Sequence, residues 1–263
     1  MSLTKEGYIK RLADEKISKY LNIFGAIAID GPKWCGKTWT SLNHANSYTL
    51  LTESSNYNLA KEDPKYIVTN DFPQLIDEWQ LVPSIWDSVR NICDSDRKKG
   101  KFILTGSTTL EKDDEEEVHH SGTGRIITMK MQPMSLYESG DSTGEVSIMG
   151  MYNHRVKLGK TKDISLDHIA DLCIRGGWPD NLIVDKENYG IMPKEYINSI
   201  LNKDMHERKD KRRDKEKMKG LLKSLARFES QQASINKILN DIHTNEVGDS
   251  LIKNRETVDD YIG

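Results

Sequence analysis

Between residues 5 and 21, Tyr8, Ile9, Leu12, Ile17 and Leu21 recur near helical spacing with charges between them, which predicts an amphipathic helix leading into a core. Residues 24–30, FGAIAID, form a short and nearly continuous apolar run bounded by glycines. Such a run is expected of a central parallel strand buried on both faces. Further strand candidates are residues 48–51, 74–77 and 101–105, with a helix over 84–93 joining the last two, and residues 125–131 resume a strand-like pattern. Strands alternating with helices predict an α/β fold built on a parallel sheet.

Beyond Ser139 the chain turns polar and glycine-bearing until Ser165, and helical spacing then dominates over 167–175, 193–206, 213–228 and 233–242. Gly176-Gly177-Trp178-Pro179 separates the first of these from the rest. The expected organisation is an α/β core over 1–160, a helical lid-like region over 161–230 and a further segment over 231–263. Residues 255–262 begin another amphipathic helix just before Gly263, so a truncated form is expected. Residues 111–117, EKDDEEE, hold six acids and one lysine and predict a solvated, mobile loop.

Composition narrows the setting. With 263 residues the chain is long enough for one large domain and a smaller companion. A net charge of -3 gives no global electrostatic case for nucleic acid or membrane binding. Three cysteines, Cys35, Cys93 and Cys173, without a Cys-x-x-Cys spacing suggest neither a disulfide framework nor a zinc site. The N-terminus lacks an apolar signal-peptide core and no stretch approaches a membrane span, so the expectation is a cytoplasmic protein without a membrane partner.

The sharpest signal is Gly31-Pro32-Lys33-Trp34-Cys35-Gly36-Lys37-Thr38, followed by Trp39. Glycines at the two ends of this spacing let backbone N–H groups turn inward around phosphates. Lys37 supplies a mobile cation for the β- and γ-phosphates, Thr38 a hydroxyl for Mg²⁺, and the following helix its N-terminal dipole. The expected ligands are therefore ATP and Mg²⁺, held by residues 31–39. Cys35 reads as a structural thiol.

Leu75-Ile76-Asp77-Glu78 places two carboxylates at the end of a short apolar strand. After a phosphate loop such a pair divides two jobs: Asp77 holds Mg²⁺, and Glu78 orients and deprotonates the attacking water. Residues 102–107, FILTGS, end a strand in hydroxyls, and ligands of open α/β sheets sit at strand carboxyl ends, so Thr105 or Ser107 could face the γ-phosphate or the water. Arg125 and Arg175 are candidates for stabilising charge on the transferred phosphoryl group, against the plain alternative of structural arginines. His119-His120 lacks further ligands at metal spacing. Residues 203–219, with nine basic and five acidic side chains, read as a solvated helix face, with a nucleic-acid contact as the alternative.

In this order, GPKWCGKT (31–38), LIDEWQ (75–80), FILTGS (102–107), HSGTGRI (120–126), MQPMSLYESGDSTGEVS (131–147) and RGGWP (175–179) resemble bacterial and archaeal AAA-type ATPases that carry a C-terminal domain of unknown function. The resemblance implies an AAA-type P-loop core, Asp77 and Glu78 in the Walker B role, Thr105 to Ser107 near the sensor position, and a helical region after RGGWP. It also implies a winged-helix-like segment, of which residues 231–263 supply only the beginning, and a nuclease-like part that this sequence lacks. The expected activity is Mg-dependent ATP hydrolysis. The alternatives are a nucleotide-gated binding module with little turnover and, less well matched to the Asp77-Glu78 pair, a small-molecule kinase. A homo-oligomer, and a DNA or protein partner on the C-terminal helices, remain open on this reading.

Overall fold

The computed structural model describes residues 5–96, 98–106, 123–155, 164–204, 214–248 and 251–262. Two compact units divide the chain, Met1–Lys186 and Glu187–Gly263.

The first unit is built on five parallel strands: β1 (Ala26–Asp30), β2 (Ser47–Leu50), β3 (Gln74–Asp77), β4 (Phe102–Gly106) and β5 (Ile126–Lys130). Their order across the sheet is β2-β3-β4-β1-β5. The central strand β1 pairs with β4 and β5, and Asp30 lies in register with Gly106 and Lys130. On the other side of β4, Asp77 of β3 lies in register with Thr105. The carboxyl ends of the inner strands therefore form one edge, where open α/β sheets bind ligands.

Alternation along the strands explains why both faces are covered. Ala26, Ala28, Ile76, Phe102 and Leu104 face one side, with Ala60 of α3 (Ser54–Glu62) and Ile85, Trp86, Val89 and Cys93 of α4 (Ser84–Ser95) in the same core. Ile27, Ile29, Leu75, Ile103 and Met129 face the other, with Ile17 of α1 (Ala13–Leu21) and Leu42 of α2 (Lys37–His44). A strand buried on both sides needs no polar alternation, as the FGAIAID run shows.

Two elements depart from the pattern. The helix expected over 5–21 begins only at Ala13, because the Asp14 carboxylate accepts the Arg11 N–H (2.7 Å) and the Tyr8 hydroxyl (2.8 Å) and closes a turn ahead of it. Helix α3 buries only Ala60, so its apolar periodicity is too weak to announce it.

The rest of the first unit holds α5 (Ile148–Tyr152) and α6 (Leu166–Arg175). The unit runs past the composition boundary near 160 because Arg175 bonds to Asp141 and the Gly177 carbonyl accepts the Met134 N–H (2.7 Å). The second unit contains α7 (Ile191–Ser199), α8 (Lys215–Arg227), α9 (Ile235–Asn245) and α10 (Arg255–Ile262). Its core joins Leu201, Met218, Leu221, Ile238, Ile242, Ile252 and Val258. Asp214 caps α8 and Ser234 caps α9, each accepting a backbone N–H of the first turn. No helix among the described residues is long and apolar enough to cross a membrane.

Candidate functional site

At the end of β1 the chain turns through residues 31–36 into α2. Gly31 leaves no room for a side chain, since a Cβ there would lie 2.3 Å from the Met131 carbonyl oxygen. Gly36 has φ +95°, and a Cβ would stand 3.2 Å from both Arg11 Nη1 and Pro179 Cγ. Trp34 also adopts a left-handed backbone (φ 65°) and leaves 47% of its surface exposed. That conformation costs a non-glycine residue about 1–3 kcal/mol, and such strain gathers at ligand clamps. Pro32 and Trp39 are exposed, Lys33 half-buried. Cys35 is fully buried, and burial pushes its thiol up despite the nearby Lys37 and Arg11 cations, as befits a packing residue.

Lys37 opens α2 and is buried; its Nζ donates to the Gly31 (2.8 Å) and Pro32 (2.9 Å) carbonyls, which folds the ammonium back along the loop. The next residue reaches across the sheet edge. Thr38 Oγ1 donates to Asp77 Oδ1 at 2.8 Å, and Thr105 Oγ1 donates to the same oxygen at 2.5 Å. Burial raises the Asp77 carboxyl above its ordinary range, outweighing these two donors, and the neighbouring Glu78 adds to the rise. A buried carboxylate beside a hydroxyl is an all-oxygen donor pair of the kind Mg²⁺ takes, together with water and phosphate oxygens.

Glu78 follows Asp77 with a left-handed backbone (φ 57°, ψ 45°) and a half-buried side chain. Its carboxylate accepts a short hydrogen bond from Gln80 Nε2. The strained turn swings the second acid out of the strand line while the first stays in register with Thr105.

The structure thus gathers Gly31, Gly36, Lys37, Thr38, Asp77, Glu78 and Thr105 at one end of the sheet. It does not bring Arg125 there. Arg125 precedes β5, beside the Ala26↔Ile126 pair at the opposite edge, roughly 13 Å of strand away from the loop. Its half-exposed guanidinium pairs with Asp94. Strand polarity therefore sets Arg125 at the end of the sheet away from the loop of its own chain.

Arg175 occupies an intermediate position. Pro179 of its motif faces Gly36, yet the buried Arg175 Nη2 is held by Asp141 Oδ2 (2.5 Å) and Ser139 Oγ (3.2 Å). Its Nε finds no hydrogen-bond partner among the described residues. Ser107, His119-His120 and most of the basic run after Lys203 lie outside the described residues.

Two residues at the loop escaped the sequence reading. Arg11 is 4% exposed and donates from Nη1 to the Cys35 carbonyl, and its Nε bonds to Glu138. The partners stand 127 positions apart, so no local spacing could have joined them. The only signal was that Glu138 falls within the 131–147 motif.

Comparison with known proteins agrees with this architecture. Residues 24–140 match a family model described as an AAA domain, and residues 166–263 match a domain of unknown function (DUF8612). Among solved structures the chain is similar to the Walker-type ATPase of Pyrococcus abyssi, with 14% identity over 98% of this chain and 89% of that one and a TM-score of 0.53. Lower likeness joins it to AMPPCP-bound DnaA from Aquifex aeolicus (15% identity, 98% and 89% covered, TM-score 0.40). The ORC2 protein of Aeropyrum pernix, in ADPNP-ADP complexes, stands at 11% identity, 98% and 86% covered, TM-score 0.43. Of these three, the Pyrococcus abyssi likeness alone has a TM-score above 0.5, and at 14% identity it bears on the fold alone. No curated protein matches the sequence.

Proposed function

The chain carries an AAA-type P-loop domain followed by a C-terminal domain of unknown function, and from that premise we propose that it binds Mg-ATP on residues 31–39 and hydrolyses it to ADP and phosphate. The observation that carries this reading is the hydrogen bond from Thr38 at the head of α2 to Asp77 at the end of β3, with Glu78 next in sequence. That juxtaposition joins a phosphate-binding turn to a metal-binding acid and a second carboxylate, the parts that water attack on a γ-phosphate requires.

In this mechanism the loop amides and the α2 N-terminus receive the β- and γ-phosphates. Lys37 exchanges its two loop carbonyls for phosphate oxygens and neutralises charge there. Thr38 and Asp77 would hold Mg²⁺, which would supply charge neutralisation to the phosphates. Glu78 accepts the proton of the attacking water as its oxygen bonds to the γ-phosphorus and the bond to the β,γ-bridging oxygen breaks, leaving ADP and phosphate. Thr105 holds Asp77, and Arg175 is the charge-stabilising candidate left in the same chain. The second unit, with its helices α8 to α10, is the element we assign to a DNA or protein partner, and assembly of several copies would let an arginine act across an interface.

A second reading has its own support. The Glu78 carboxylate already accepts a hydrogen bond from Gln80, which lowers its basicity towards water; a nucleotide-gated binding module with slow turnover would use the site in that state. Phosphate release under saturating Mg-ATP separates the two. Sustained turnover abolished by Lys37→Ala supports the ATPase, whereas tight ATP binding without turnover supports the module.

A further inference from the structure

We propose that Arg11 is a positioning residue for phosphate binding: it fixes the Cys35–Gly36 peptide so that the Gly36 N–H faces away from the guanidinium and into the loop. This rests on the nucleotide-binding reading of the same loop and adds a residue from outside it.

The geometry is unusually complete for a guanidinium. Arg11 Nη1 donates to the Cys35 carbonyl (2.8 Å), Nη2 to the Gln132 carbonyl (2.8 Å) and Nε to Glu138 Oε1 (2.9 Å). Three acceptors from two separate stretches of chain are thus tied by one rigid fork, which the planar guanidinium suits and an ammonium does not. Glu138 is anchored in turn. Its Oε1 also accepts the Leu12 N–H (2.8 Å), and its Oε2 accepts the Ser135 N–H (2.7 Å) and hydroxyl (2.8 Å). The segment carrying Arg11 is strapped at the far end of α2 as well, where His44 Nε2 meets Asp14 Oδ1 (2.7 Å) and Lys5 Nζ donates to the Ala45 carbonyl (2.9 Å).

In a trans peptide the C=O and the following N–H point in opposite directions. Drawing the Cys35 oxygen towards Arg11 therefore turns the Gly36 N–H away from it. Gly36 precedes Lys37 directly, and it is the loop residue whose left-handed backbone leaves its amide orientation least restrained by its own side chain. An external clamp on the preceding carbonyl removes that freedom before any ligand arrives. Burying a paired charge seldom adds net stability, so orientation is the better account of why an ion pair stands here.

The test compares Arg11→Ala, Glu138→Gln and the control His44→Ala in the full chain, by calorimetric titration with ADP and with a non-hydrolysable ATP analogue, each variant checked by circular dichroism and thermal melting. His44→Ala cuts the strap without touching the Cys35 peptide. The expected result is a loss of affinity on the order of 10- to 100-fold for Arg11→Ala, the scale of one charge-assisted hydrogen bond to phosphate, while His44→Ala binds as the parent does even if it melts earlier. Glu138→Gln, which keeps the side-chain shape, should fall between them, and it carries the test if Arg11→Ala does not fold. Parental affinity in the folded Arg11→Ala and Glu138→Gln proteins, or an equal loss in His44→Ala, overturns the positioning role while leaving the nucleotide site intact. A parent chain that binds neither ligand overturns both readings.

Discussion

Replacing Thr105 by valine tests how the buried acid of the site is held. Thr105 is fully buried, and its hydroxyl has one proton, which is committed to Asp77 Oδ1 at 2.5 Å. It cannot also donate to a γ-phosphate while that bond stands, so the geometry makes Thr105 a holder of Asp77. Valine keeps the shape and deletes the donor. A hydrogen bond to a charged group contributes about 1.5–3 kcal/mol, and the added methyl recovers about 0.8 kcal/mol of apolar burial, leaving an expected net loss of about 1–2 kcal/mol. Urea unfolding near neutral pH measures it. Asp77 keeps its second donor, Thr38, so ATP should still bind, with the Mg²⁺ concentration for half-maximal binding raised severalfold. Two results would refute the reasoning: a stability change under about 0.5 kcal/mol with the Mg²⁺ requirement unaltered, or a large fall in turnover at unchanged Mg²⁺ requirement, which would return the hydroxyl to the phosphate.

Other outcomes follow from the same geometry. Arg125→Ala should lower stability by no more than about 1 kcal/mol, as exposed ion pairs do, and leave turnover of the isolated chain untouched; a thousandfold loss would place this arginine across a subunit interface. Gly31→Ala should abolish nucleotide binding or folding, because its Cβ would overlap the Met131 carbonyl at 2.3 Å; a stable variant with parental affinity contradicts the packing. For Glu138, burial raises the carboxyl, but the donors from Ser135, Leu12 and Arg11 outweigh it and hold it below the usual carboxylate range. A depressed carboxylate contributes stability that is fully present above its unfolded value and disappears as pH falls from there through the lower folded value. Urea midpoints should therefore drop more steeply with acid in the parent than in Glu138→Gln, and parallel slopes would remove Glu138 from the acid response.

Much of the site was legible because its chemistry is local. The 31–38 loop fixes donor groups within eight residues, and the Asp77-Glu78 pair ends a strand whose apolar run marks it. The parallel sheet was equally plain, since β1 is apolar on consecutive positions and only burial on both faces explains that. What the sequence withheld is what tertiary structure decides. Arg11 looked like one charge on an amphipathic helix, yet the chain around it is not helical, because Asp14 draws in its N–H. Arg125 looked like a finger because nothing local shows that β5 starts at the edge remote from the loop. Arg175 lay in the right motif, but its partner Asp141 is 34 positions away across glycine-bearing chain. Local patterns assign the groups; sheet polarity and long-range hydrogen bonds decide which of them meet.

The central claim is that this site hydrolyses ATP with Glu78 as the base, and single-turnover hydrolysis by Glu78→Gln tests it most directly. The amide keeps the shape and the hydrogen-bonding reach of the acid but cannot take the water proton. ATP should bind about as tightly as in the parent and then persist, with the chemical step slowed about 10²- to 10⁴-fold, the range of a general base. Following pre-bound radiolabelled ATP in one turnover removes any masking by product release. A Glu78→Gln protein that converts its bound ATP at the parental rate would contradict the account.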